Sequence, residues 1–260
     1  MASARFRFYA ELNDFLPRFR RQQAFDVEID PPVSVKHVVE SLGVAHTEVD
    51  LILANGRSVD FSYRVEDGDQ VSVYPVFEAL DISPLVRLRP APLREPRFVL
   101  DVHLGRLAAY LRLLGFDTLY PREASDEMLA EISSAERRIL LTRDRRLLMR
   151  SKVTHGCLVH ASLPQEQAAE VIRRLDLSGI VRPFRRCLRC NGKLEPVEKA
   201  AVEAGLPHHT RETYDNFYRC ADCRQVYWAG AHYPRMKRLV DELVNNRPTQ
   251  DEEAVQPPPG

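Results

Sequence analysis

Four acidic residues and two cysteine pairs are the side chains of this 260-residue sequence whose types and spacing could do chemistry. Asp101 closes a short apolar run, Asp126 and Glu127 stand together behind Ser125, and Asp144 follows ILLT in the run ILLTRD. Carboxylates brought to one place from distant positions make a hard-cation site of oxygen ligands, suited to Mg2+ or Mn2+. Each acid also has a plainer use. Asp126 and Glu127 fall where first-turn acids favour a helix dipole behind a serine cap, and an aspartate after a strand is often a turn residue. Cys187-Leu188-Arg189-Cys190 and Cys220-Ala221-Asp222-Cys223 are two C-x-x-C pairs. Together they can offer four thiolates to one Zn2+, the spacing of a structural zinc ribbon. Four free thiols or a redox pair are the other readings. The fifth cysteine, Cys157, lies in an apolar run and reads as core.

The elements around the acids decide whether they can meet. Phe98 to Val102 has strand length and β-rich composition. Leu104, Leu107, Ala108, Leu111 and Leu114 then repeat at helical spacing, and Gly115 ends the helix. A strand over Phe116 to Tyr120 precedes a helix with Met128, Leu129 and Ile132 as apolar positions. Ile139 to Thr142 is a third strand and Leu147 to Arg150 a short helix. Gly156 to His160 is a fourth strand, and Gln165 to Leu175 a helix with Ala168, Val171, Ile172 and Leu175 inward. This alternation predicts an α/β domain, a right-handed parallel sheet with helices on both faces. Strand carboxyl ends line the ligand crevice of such sheets, which puts Asp101 and Asp144 on one rim. Asp117 starts its strand, on the other rim, and reads as structural. His160 and Ser162 follow the fourth strand and either face the crevice or serve as loop residues.

The rest of the chain divides by composition. Residues 1–80 read as an α+β domain of β-grasp type. Phe6, Phe8, Ala10 and Leu12 alternate over Arg5 to Leu12, as do Phe25, Val27 and Ile29. Ser34 caps a helix through Leu42 that Gly43 closes, and Asn55-Gly56 is a hairpin turn. Residues 81–97 are a Pro/Arg-rich linker, 98–179 the α/β domain, 180–245 the ribbon and a terminal helix from Pro234 to Val244, and 246–260 a disordered acidic tail. The segment between the cysteine pairs is long for a ribbon and predicts a helical excursion over Val197 to Ala204. The zero net charge hides −5 over residues 1–80, +9 over 81–240 and −4 over 241–260. Arg137, Arg138, Arg143, Arg145, Arg146, Arg150 and Lys152 surround Asp144, and Arg182, Arg185, Arg186 and Arg189 form a second group. Two such clusters predict a polyanionic partner. Tyr218, Tyr227 and Trp228 could stack on bases, although packing around the ribbon is the plainer use. No apolar run approaches the ~18 residues of a membrane span, and residues 1–12 lack a secretory apolar region. A cytoplasmic protein is the expectation.

Two resemblances sharpen this reading. FRFYAEL, SVKHVVESLGV, LANGRSV and VEDGDQVSVYPVF occur in the order of the small ubiquitin-like sulfur carriers of thiamine and molybdopterin synthesis. Those end in Gly-Gly, whereas here Val76-Phe77-Glu78-Ala79-Leu80 runs on into more chain. Sulfur transfer is therefore not expected, and a docking or spacer role, with a protein partner, takes its place. LDVHLGRLAAYLRLLGFDT, SDEML and ILLTRD, then FRRCLRCNGKL and YRCADCRQVYWAGAHYPRM, resemble the bacterial members of the PIN-like RNase family named for the C-terminal domain of the mut-seven exonuclease. Members commonly carry a ubiquitin-like domain in front. The resemblance implies a metal-dependent ribonuclease leaving 5′-phosphate and 3′-hydroxyl ends. Asp101, Asp126 and Asp144 match the acidic set that holds Mg2+ or Mn2+, and Glu127 can stand in for Asp126. Arg143, with Arg145, would steady the phosphate. The substrate would be RNA, structured RNA such as tRNA or rRNA included, gripped by the basic surface and the ribbon. A non-catalytic RNA- or ribosome-binding adaptor is the alternative.

Overall fold

The computed structural model describes residues 2–30, 32–75, 88 and 95–245. Most of the expected linker, and the tail over 246–260, lie outside them. The first sheet domain comprises β1 (Ala2–Phe8), β2 (Ala24–Ile29), β3 (Val33–Ser34), α1 (Val35–Ser41), β4 (Val49–Ala54), β5 (Arg57–Val59), β6 (Arg64–Val65) and β7 (Gln70–Pro75). Its five-stranded sheet runs β2-β1-β7-β4-β5, with β1 parallel to β7, while β3 and β6 pair separately. This is the ubiquitin-like arrangement that the strand and turn signals predict. Ser34 Oγ accepts the His37 N–H at 3.3 Å to start α1. Asn55 and Gly56 take φ of 50° and 79°, as a two-residue hairpin turn requires. The first strand stops at Phe8, short of the expected Leu12. Ala10 turns to φ 45°, and the Asn13 amide donates to the carbonyls of Phe8 and Ala10, holding a 3-10 turn that buries Leu12 and Phe15.

The second sheet comprises β8 (Arg97–Leu100), β9 (Asp117–Leu119), β10 (Ile139–Thr142) and β11 (Gly156–Leu158), all parallel, in the order β11-β10-β8-β9. Between and after them run α2 (Gly105–Leu113), α3 (Asp126–Ala135), α4 (Arg145–Leu148) and α5 (Pro164–Arg174). The first strand ends at Leu100 rather than Val102, because the Asp101 carboxylate accepts the Val102 N–H and opens a 3-10 turn. Alternation sorts the strand residues between two cores. Phe98, Leu100, Leu141, Cys157 and Val159 face α2 and α5, whereas Val99, Leu140 and Leu158 face α3, α4 and the first domain. Of the expected apolar positions on α3, Leu129 is buried and Ile132 packs against the core, whereas Met128 turns out. Met128 is 52% exposed, and Leu129, Ala130 and Ser133 go inward. Gly115 is obligatory, since at φ +97° a Cβ would sit 1.9 Å from the Arg182 carbonyl oxygen.

The last region has a three-stranded antiparallel sheet, β12 (Leu194–Val197), β13 (Phe217–Cys220) and β14 (Val226–Trp228), with α6 (His208–Thr213) between the first two and α7 (Tyr233–Asn245) after them. The excursion is not a helix over Val197 to Ala204. Val197 ends β12, two 3-10 turns follow, and the α-helix starts only after Leu206-Pro207, where the proline holds Leu206 extended. Helix α7 returns to α5 and buries Val240 and Leu243 in the second domain's core.

The first domain docks on the second. β11 is an edge strand, and its Leu158 N–H donates to Glu48 Oε1 at 2.7 Å. Glu48 is 2% exposed, and Arg174 grips both that carboxylate and the Leu158 carbonyl. His46 Nε2 meets the Val153 carbonyl at 3.1 Å. One continuous apolar cluster runs from Phe6 and Val73 to Leu140 and Leu158. The edge is thereby covered, and the ubiquitin-like domain packs on this chain's own sheet.

Candidate active site

Strands β9 and β10 lie on opposite sides of β8. The strand order reverses there, which opens a crevice at the carboxyl ends of β8 and β10. Asp101 follows the first of these strands and Asp144 the second. One buried hydroxyl ties them together: Thr142 Oγ1 donates to Asp101 Oδ2 at 2.8 Å and accepts the Asp144 N–H at 2.9 Å. Asp144 Oδ1 also accepts the Arg146 N–H, so Asp144 caps α4 while remaining exposed. Asp101 and Asp144 therefore stand at the same rim of the sheet.

Asp126 and Glu127 start α3, whose serine cap forms as expected, Ser125 Oγ accepting the Met128 N–H at 3.3 Å. A helix returning antiparallel to the strands starts at their carboxyl end, so both acids belong to the same side of the sheet. Their immediate partner is Arg150, 3.5 Å from Asp126 and 2.8 Å from Glu127. Its own backbone N–H, then Arg150, hold the Glu127 carboxyl below the usual range. Asp101, Asp126 and Asp144 do not form a group with ligand atoms within 4.8 Å of one another. Carboxylate oxygens are hard-cation ligands in kind; Asp101 and Asp144 stand at one rim, and Asp126 is paired with Arg150. Arg143 is exposed and has no partner among the described residues. Arg145 is otherwise occupied: it donates to the Phe15 carbonyl at 3.2 Å and lies over the Phe15 ring at 5.2 Å.

The amino rim is built differently. Asp117, at the start of β9, accepts from Arg138 at 2.7 Å, Arg186 at 3.2 Å and Asn191 at 2.9 Å. Burial pushes its carboxyl up, but Arg138 first and Asn191 next outweigh it and hold it below the usual range. Arg138 thus leaves the expected phosphate-binding cluster; it is buried in this network. Asn191 also accepts the Thr118 N–H, and Arg112 donates to the carbonyls of Leu188 and Arg189. The first cysteine turn is therefore fastened to the end of the sheet away from the acids. There the ligand atoms of Cys187, Cys190, Cys220 and Cys223 all lie within 4.8 Å of one another. Cys187 is 3.6 Å from Cys223 and Cys190 3.4 Å from Cys220. Arms of ~2.3 Å in a tetrahedron place sulfurs roughly 3.8 Å apart, so the set fits Zn2+. Burial raises Cys187, but the Tyr227 hydroxyl and nearby backbone N–H groups bring its thiol down to about 7. Cys190 is pushed up to about 12, by burial and then by the other sulfurs. One thiolate suppressing the next is what a shared cation would relieve. A Cβ on Gly192 would lie 2.7 Å from Cys220 Sγ, so the turn after Cys190 needs glycine. His208, His209 and His232 are exposed. Tyr227 donates toward Cys187 Sγ at 3.1 Å and Trp228 packs on Phe217, which makes them ribbon packing residues; Tyr218 is exposed.

The family model described as Mut7-C RNAse domain matches residues 96–240, and the one described as Mut7-C ubiquitin matches residues 1–81. The chain belongs to the Mut7-C RNAse domain family. No curated protein and no solved structure matches it. Membership makes the chain one with an RNase-type domain, so the acidic rim is where its chemistry is to be sought. Among the described residues no helix is long and apolar enough to cross a membrane.

Three parts of this Mut7-C rim escaped the sequence pattern. Thr142 sits in the quoted run TRD, yet nothing local marks its hydroxyl as the link between two aspartates. Arg150 stands among many arginines. Glu170 is one of several helix acids, but it is buried and accepts from the backbone N–H and Nδ1 of His160 and from the Ala161 N–H. Burial raises it, and the bonds from His160 and Ala161 outweigh that and hold its carboxyl at about 2.

Proposed function

We propose that the chain is a metal-dependent ribonuclease, acting in the cytoplasm, that hydrolyses RNA phosphodiester bonds at the carboxyl rim of its parallel sheet. The observation that carries this is the pairing of Asp101 and Asp144 across the switch point through Thr142, inside an RNase-type domain. Asp101, Asp144 and Asp126 would hold Mg2+ or Mn2+. Asp126 is preferred to Glu127 because its side chain is less exposed, 46% against 72%. A divalent cation at such a site supplies Lewis acidity, neutralising phosphate charge and making water a better nucleophile. Thr142 fixes the Asp101 carboxylate, so its oxygens need little reorganisation when a cation arrives. Arg150 must release Asp126. Arg143 and Arg146, both exposed beside Asp144, draw in and steady phosphate; their fixed charge makes them poor proton donors. Departure of the 3′ oxygen leaves 5′-phosphate and 3′-hydroxyl ends. The ribbon would hold one structural Zn2+ and brace the amino rim. The division at 80, 97, 179 and 245 is the proposed domain plan.

The test is to incubate the full chain with total cellular RNA and Mn2+, with and without EDTA, and sequence the new ends. EDTA-sensitive cuts that vanish in Asp101→Asn and Asp144→Asn are expected; cuts that persist in both variants sink the proposal. The separation of Asp126 from the other two acids favours a second reading, a non-catalytic RNA-binding adaptor. It predicts RNA binding with no cutting at any Mn2+ concentration.

A further inference from the structure

The carboxyl rim carries one more oriented side chain. His160 lies two residues past the end of β11, as Asp144 lies two past the end of β10. The two strands pair in register, Thr142 against Leu158, and the Val159 N–H donates to the Thr142 carbonyl at 2.8 Å. His160 and Asp144 thus leave neighbouring strands at the same rim. Its ring is held on two sides. Nδ1 lies 2.9 Å from Glu170, and the Phe15 ring of the first domain meets it edge-on at 5.4 Å. Nε2 has no partner among the described residues, and the side chain is 34% exposed. The same Phe15 carries Arg145, so one wedge from the ubiquitin-like domain braces the rim on both sides of Asp144.

We propose that His160 is a substrate-contacting residue of this rim, its Nε2 hydrogen-bonding a non-bridging oxygen of an RNA phosphate, with Glu170 and Phe15 as positioning residues behind it. That this phosphate neighbours the one attacked rests on the ribonuclease reading; the contact itself does not. In its cationic form the ring donates from both nitrogens, Nδ1 to Glu170 and Nε2 to an anion. A loop staple would not need the imidazole, because the backbone N–H groups of His160 and Ala161 already bind Glu170.

The experiment uses the full chain carrying Asp144→Asn, so that bound RNA stays intact. Its affinity for a labelled single-stranded RNA of about 12 nucleotides is read by fluorescence anisotropy between about 50 and 200 mM salt, at about pH 6. Adding His160→Ala should weaken binding about three- to tenfold and flatten the slope of log affinity against log salt by about 0.7, one phosphate contact on a single strand. His160→Gln should do the same with an unchanged melting temperature. His160→Arg should restore the slope, because it returns the charge. Unchanged affinity and slope in His160→Ala and His160→Gln overturn the proposal, as does a loss that His160→Arg fails to rescue. A chain with Asp144 intact that binds RNA but never cuts it with Mn2+ sinks the ribonuclease reading alone; an Asp144→Asn chain that binds no RNA sinks both.

Discussion

Asp117 and Asp144 stand at opposite ends of the same parallel sheet, in unlike surroundings. Asp117 is enclosed by Arg138, Arg186 and Asn191, and it ties the second strand, the third strand and the first cysteine turn together. Asp144 is exposed, its carboxylate occupied by one backbone N–H. A carboxylate that has spent its lone pairs on fixed donors is structural; one that keeps them at a strand switch point is available to a ligand. The two sets of metal-type ligands divide in the same way. Four sulfurs at the amino end are already gathered, as a closed structural site requires, while the acids at the carboxyl end are spread and one is parked on an arginine. The proposed cation site would have that character if substrate helps to complete it.

The largest effect should come from the closed site. Cys220→Ser with Cys223→Ser should abolish binding of about one Zn2+ per chain. Since structural zinc supplies on the order of 10–16 kcal/mol in small modules, β12 to β14 should lose hydrogen-exchange protection. Metal analysis and exchange mass spectrometry check this, and a protected ribbon without metal would show that four free thiols suffice. Next in size is the open site. Asp144→Asn should lower cleavage by on the order of a thousandfold and barely move the melting temperature, because asparagine caps a helix as well as aspartate does. The mirror experiment is Asp117→Ala. It leaves Arg138 buried without its main partner and should cost about 2–3 kcal/mol in urea unfolding, with kcat unchanged. If Asp117→Ala abolished cutting and Asp144→Asn unfolded the chain, the contrast between the two rims would be reversed.

Much of this was legible because local patterns report local causes. Ile139 to Leu141 is apolar because it belongs to a central parallel strand, and the strand appears at Ile139–Thr142. The cysteine spacing announced the sulfur cluster. What stayed hidden depends on partners far away in the chain. Glu48 looks like one acid among thirteen in residues 1–80, and only the fold brings it to Leu158 and Arg174, 110 and 126 positions on. Arg138 looks like part of a basic patch, yet an aspartate 21 residues earlier buries it. Met128 fits an apolar stripe by spacing, but the buried face of the helix is Leu129 with Ala130 and Ser133, and Met128 falls outside it. A periodicity fixes a face to within a residue or so, and tertiary packing chooses among the neighbours.

The smallest effect bears most directly on how the open site closes. Arg150 holds Asp126 at 3.5 Å and Glu127 at 2.8 Å, with side chains 38%, 46% and 72% exposed. Pairs that wet are worth roughly 0.2–1 kcal/mol. If Asp126 must leave Arg150 to join Asp101 and Asp144, Arg150→Ala removes that competition. The Mn2+ concentration for half-maximal cleavage should then fall by about 1.5- to 5-fold, the same energy expressed as a ratio. Asp126→Asn should raise it sharply, whereas Glu127→Gln should leave it near the parent value. An unchanged Mn2+ requirement in Arg150→Ala, together with a raised one in Glu127→Gln, would make Glu127 the third ligand. It would also mean that Arg150 serves the phosphate rather than restraining an acid, since only then would its removal raise KM for RNA and leave the metal dependence alone.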